Sequence, residues 1–76
     1  MKEFIEYLVK NLVDSPESVD VRCVEDAKGV NVEVRVGQSD IGKVVGRKGA
    51  TIKSLRLIAM MICARLGQRV RIEIIE

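Results

Sequence analysis

The sequence predicts an α+β domain, and three patterns carry that reading. Two runs of alternating apolar and polar residues, Val19–Cys23 and Val30–Val36, read as neighbouring strands, and a third such run, Arg69–Ile75, closes the chain. Segments of helical period lie before and after the strand pair. Between two of these segments sits Gly46-Arg47-Lys48-Gly49, a turn bounded by glycines and filled by cations.

Each element has its own warrant. From Lys2 to Val13, residues Phe4, Ile5, Leu8, Val9 and Leu12 share one side of a helical wheel, opposite Lys2, Glu3, Glu6 and Lys10. Asp14-Ser15-Pro16-Glu17-Ser18 ends this helix, because a residue before proline disfavours the helical region. Val19, Val21 and Cys23 then alternate with Asp20 and Arg22, while Val30, Val32, Val34 and Val36 alternate with Asn31, Glu33 and Arg35. The polar link Glu25–Gly29 joins them as an antiparallel hairpin with one wet face. Val24 breaks the alternation, as a bulge or an exposed residue. Ser39 or Asp40 can cap a short helix over Asp40–Val45. Gly42 weakens that helix, and leaves room for a protein or nucleic-acid backbone to pass close by. A long helix follows from Ala50 to about Leu66, with Gly67 suited to its C-terminal end.

Composition narrows the class. Seventy-six residues, 47% hydrophobic, make one small domain, 1–76, with enough apolar content for a core. Cys23 and Cys63 have no metal-type spacing and read as buried small hydrophobes rather than a disulfide, which fits a reducing cytoplasm. No signal-peptide pattern and no apolar run of membrane-spanning length is present, so no membrane role is expected. No cofactor is expected either. The chain has no histidine, the commonest general base, and Ser39 and Ser54 have no evident triad partner, so catalysis is disfavoured. Gly42–Lys48 also lacks the spacing of a nucleotide phosphate loop.

The long helix has two apolar faces. Ile52, Leu55, Ala59, Ile62 and Leu66 form the stripe expected to lie on the sheet. Leu57, Met60, Met61 and Ala64 fall on the far side, where the first helix can cover only part of them. The expectation is a dimer formed through these four residues, with methionine supplying an adaptable surface.

The positive charge is focused. Lys43, Arg47, Lys48, Lys53 and Arg56 fall within fourteen residues that contain no acid, although the whole chain is only +2, so the rest of the chain is net negative. Glycine reaches positive φ without strain and puts no side chain between the backbone and a ligand. With Val44, Val45 and Ile52 beside it, the turn describes a shallow apolar groove with a cationic lip, suited to a few unpaired nucleotides.

Val44-Val45-Gly46-Arg47-Lys48-Gly49-Ala50-Thr51-Ile52 resembles the signature of the KH (K-homology) domain, and the order of elements resembles its type II, bacterial form. The likeness covers nearly the whole chain and extends to the small bacterial single-KH RNA-binding proteins of the KhpA type. It implies an αββααβ fold with a mixed three-stranded sheet and three helices on one face. It also implies about four nucleotides of single-stranded RNA crossing the Gly-x-x-Gly loop. By position, Gly46 and Gly49 would admit the RNA backbone and Arg47 and Lys48 would face phosphates. Ile41, Val44, Val45 and Ile52 would line the base side, or pack on the sheet, while Lys43, Lys53 and Arg56 would add positive field. The resemblance further implies low sequence specificity and a role in post-transcriptional regulation or as an RNA chaperone. Expected partners are a second copy, a second KH-containing protein, and the ribosome or RNA-processing machinery.

Binding at one such site should be modest and weakened by salt, because few phosphates are contacted. The two aromatics, Phe4 and Tyr7, both lie on the first helix, so no base-stacking platform is available at the turn. Two rival readings remain at this level. A KH-fold module that only pairs proteins is favoured by the Met60/Met61 face and disfavoured by the cations at 47 and 48. A helix-turn-helix DNA binder is disfavoured by the apolar run Leu57–Ile62, which has few side chains to read base edges. Nothing in the sequence distinguishes RNA from single-stranded DNA.

Overall fold

The protein is described here by a computed structural model covering residues 1–75; Glu76, the end of the expected domain, lies outside the described residues. The elements are α1 (Lys2–Lys10), β1 (Asp20–Asp26), β2 (Gly29–Arg35), α2 (Ile41–Val45), α3 (Ala50–Arg65) and β3 (Val70–Ile75), with short 3-10 turns at Pro16–Ser18, Gln38–Asp40 and Arg47–Gly49. The sheet order is β1-β2-β3, with β2 antiparallel to β1 and parallel to β3. A parallel pair needs a long crossover. Here α2, the Gly46–Gly49 loop and α3 supply it. No helix among the described residues is long and apolar enough to cross a membrane.

Alternation in β2 decides which face is covered. Val30, Val32 and Val34 are buried with Val21 of β1 and Ile72 of β3, and against them pack Ile5 and Val9, Val44, and Ile52, Leu55 and Ala59 from the three helices. Asn31, Glu33 and Arg35 point to the opposite face. The hairpin is tighter than the sequence suggests. Its strands run in unbroken register to Asp26 and Gly29, leaving a two-residue turn closed by Asp26 Oδ1, which accepts the N–H of Lys28 at 2.7 Å and of Gly29 at 3.1 Å. Val24 is simply exposed, with no bulge.

Four expectations change. The first helix stops at Lys10 rather than Val13, so Leu12 is only partly covered. It packs on β1 and is not the cover for the far side of α3. Cys23 is exposed, not buried: it shares a face with Val21, but β1 is an edge strand and only the start of α1 lies near the thiol. The desolvation that does occur there pushes the thiol above its ordinary value. Finally, Cys63 replaces Ile62 and Leu66 in the inward stripe, which runs Ile52, Leu55, Ala59, Cys63. Steps of three and four residues continue equally well through 62 or 63, and it is the small thiol that is buried. Ile62 is left 37% exposed and Leu66 69% exposed.

Candidate nucleic-acid interface

The loop lies at the end of the molecule away from the β1–β2 turn. This follows from topology: β3 begins beside Val30, so α3 must carry the chain back from the loop to the hairpin end. Sixteen residues of helix span about 24 Å at 1.5 Å per residue. The two ends of the sheet are thus well separated.

Gly46 closes α2 by donating its N–H to Gly42 O at 2.8 Å, and takes φ 79°. A side chain there would collide with Thr51, both its hydroxyl and its backbone nitrogen, so glycine is required sterically as well as conformationally. Gly49 starts α3 in the left-handed region, φ 75°, with its N–H donated to Gly46 O at 3.1 Å. Lys48 is also left-handed, φ 55°, which costs a residue with a Cβ about 1 kcal/mol. Sequence reasoning missed this strain, since lysine carries no signal for it. The strain coincides with exposure of the lysine chain, and Arg47 beside it is exposed as well. Among the described residues, Arg47, Lys48 and Lys53 form no ion pair.

Lys43 behaves differently. The chain segment after α1 brings Asp14 to it as an ion-pair and hydrogen-bond partner, and Asp40 Oδ1 lies 3.8 Å from its ammonium. The hydrogen bond that Lys43 donates to Asp14, together with the charges of Asp14 and Asp40, raises Lys43 above the ordinary lysine value, against a smaller desolvation effect that lowers it. Its charge is largely answered within the protein. Arg56 also turns away from the loop and donates to Ile72 O on the free edge of β3 at 3.3 Å. Of the five expected cations, three remain unanswered among the described residues.

Asp40 is the residue that sequence reasoning misjudged. It stands at the cap position of α2 but makes no capping bond. Its side chain is 1% exposed and accepts the N–H of Asp14 at 3.2 Å and of Ser15 at 3.0 Å. The carboxylate thereby ties the α1–β1 connection to the start of α2, one short helix from the loop. A partner 25 residues away in sequence leaves no local signal.

The apolar candidates divide. Val44 and Ile52 are buried in the core and support the loop from beneath, whereas Ile41 and Val45 are half-buried and keep surface to offer. Among the described residues, nothing beyond its own helix backbone and chain neighbours comes within 4 Å of the space beside Gly42. Further along, α3 and the free edge of β3 bound a cleft of about 400 Å³ lined by Arg56, Met60 and Ile72. Met60, expected on the outer helix face, therefore sits on the wall of this cleft, while Leu57 (52% exposed) and Met61 (62% exposed) face outward with the exposed Ala64.

A Gly-x-x-Gly loop between two helices, crossing over a mixed sheet that follows an initial helix and hairpin, defines a KH fold of the type II order. The family description "KhpA/KhpB, KH domain" matches residues 2–74, and the chain belongs to that family. The RNA-binding protein KhpA of Chlamydia pneumoniae is 42% identical over 76 residues, covering 100% of this chain and 97% of that protein. Proteins of the same name from Borreliella burgdorferi, 38% identical over 74 residues (97% of this chain, 90% of that one), and Aquifex aeolicus, 38% identical over 76 residues (100% and 96%), are also similar. No solved structure matches the chain.

Proposed function

We propose that this protein binds short single-stranded RNA across Gly46–Gly49 in the cytoplasm, with low sequence specificity, and serves post-transcriptional regulation or acts as an RNA chaperone. The observation that carries the reading is the loop itself: Arg47 and Lys48 stand exposed and without acidic partners between two positive-φ glycines. Phosphates would meet those side chains, and the RNA backbone would approach over Gly46 and Gly49. Val45 and Ile41 would offer apolar contact to the bases. Lys53 adds field, while Lys43 and Arg56 contribute mainly by holding the scaffold. The name shared by the relatives, RNA-binding protein KhpA, supports the same reading.

The protein acts as a dimer, with itself or with a second KH protein, through Leu57, Met60, Met61 and Ala64. The exposed apolar side chains of α3 support this, Ile58 and Ile62 among them, since a soluble protein seldom leaves so much apolar helix surface uncovered. The same face favours the second reading, a module whose main work is pairing with another KH protein.

Fluorescence anisotropy with a labelled five-nucleotide RNA at two salt concentrations tests the reading. The wild type should bind, less tightly at higher salt, and Arg47→Asp/Lys48→Asp should lose at least ten-fold in affinity while keeping its melting temperature. Equal binding by both proteins would move the RNA site elsewhere. No binding by either would leave protein pairing as the function.

A further inference from the structure

At the other end of the sheet, beyond the β1–β2 turn, an open cavity of about 670 Å³ is lined by Lys28, Arg69 and Arg71 together with Asn31 and Asp26. Three cations face one acid there, and Asp26 Oδ1 already accepts two backbone N–H groups. Glu73 approaches Arg71 only to 4.0 Å, with both side chains open to solvent, so this pair does little to satisfy the guanidinium. The second observation concerns Asn31. Its Oδ1 is a buried side-chain oxygen that accepts no hydrogen bond among the described residues, and in the parallel register Asn31 lies directly beside Arg71. An unpaired buried acceptor is uncommon in a folded protein.

The cavity and the cleft beside α3 share part of the β3 edge. Val70 and Arg71 line both spaces, and Arg56 lines the cleft. Arg56 follows Lys53 by one helical turn, and Lys53 follows the loop. Cations therefore recur from the loop along the free edge of β3 to the hairpin end, through a molecule 34 Å long. The few nucleotides held at a Gly-x-x-Gly loop need not occupy that whole length.

We propose that the hairpin-end cavity is a second phosphate-binding site for the same RNA strand, engaged only by RNAs longer than the segment held at the loop. Lys28, Arg69 and Arg71 would meet phosphates. The proposal rests on the RNA-binding reading of the loop. It extends the interface from a short clamp to a track.

The test compares unstructured five- and twenty-nucleotide labelled RNAs by anisotropy at two salt concentrations. It uses wild type, Lys28→Glu/Arg69→Glu/Arg71→Glu, and the milder Arg69→Gln/Arg71→Gln, with thermal melts to show that each is folded. The charge-reversed variant should bind the five-mer within two-fold of wild type. It should bind the twenty-mer at least five-fold more weakly, with a salt slope smaller by about 1 to 2. The milder variant should show the same selective loss to a lesser degree. Unchanged twenty-mer binding overturns the proposal, as does equal weakening for both lengths, which would mark a general field effect. Failure of the loop reading has a different signature, five-mer binding that survives Arg47→Asp/Lys48→Asp. If the wild type binds neither RNA, both readings fall together.

Discussion

The Gly46–Gly49 loop and the outer face of α3 are presented by the same helix, yet they expose opposite chemistry. At the loop the protein exposes charge, which costs little in water, and accepts backbone strain at Lys48 to do so. Along α3 it exposes Leu57, Met61 and the flanking Ile58 and Ile62, which water does not reward. Lone charges at a tight turn await a polyanion that comes and goes with salt. Exposed apolar side chains along a helix are the chemistry of a protein contact. The difference separates two chemistries on one small fold, and the proposed RNA and protein contacts should therefore be independently breakable.

The largest effect should come from Met61→Asp, which puts a charge at the centre of the apolar face. Light scattering should show a dimer for the wild type and a monomer for the variant, with five-nucleotide RNA binding unchanged per protomer. A monomeric wild type would remove the pairing half of the comparison. Coupled loss of short-RNA binding would show that the two surfaces are one. A twenty-nucleotide RNA should bind more weakly to the monomer, because a dimer presents a second loop at high effective concentration.

Next in size is Asp40→Ala, which leaves the N–H groups of Asp14 and Ser15 without their acceptor and should cost about 2 kcal/mol in urea unfolding. A loss below about 0.5 kcal/mol would mean that the link between the α1–β1 connection and α2 is not what holds the loop's base. Lys48→Gly should gain up to about 1 kcal/mol by releasing the left-handed strain, offset in part by the freer unfolded chain, while weakening RNA binding. Stability gained with RNA affinity intact would mean that the strained lysine serves no ligand.

The smallest effect belongs to Lys43. A lysine raised in the folded state contributes stability that is fully present below the ordinary value of 10.5 and is lost as pH rises through the higher folded value. Between pH 6 and 9 its contribution to a urea midpoint should therefore be flat. Lys43→Ala should cost less RNA affinity than Arg47→Ala, because Asp14 and Asp40 already answer its charge. An equal cost would mean that the ion pair opens to meet RNA.

What the sequence discloses follows the range of the interactions involved. Strand alternation, the α1 stripe and the glycine-bounded turn are local signals, and all three elements are present, although α1 ends three residues early and the hairpin strands run further than the alternation. The inward stripe of α3 is only partly legible, since an all-round apolar helix offers more than one register and packing chose Cys63 over Ile62. Cys23 misleads because alternation specifies a face and not whether an edge strand is covered there. The partners of Lys43, Arg56 and Asp40 come from other elements, so a reading of local charge counts five free cations where the fold leaves three.

Amide chemical-shift mapping during titration with a five-nucleotide single-stranded RNA tests the division of surfaces most directly. The account predicts shifts concentrated over Ile41–Lys53, with the amides of Leu57, Met61 and Ala64 unmoved. Shifts centred on the outer face of α3, with a silent Gly46–Gly49 loop, would contradict it.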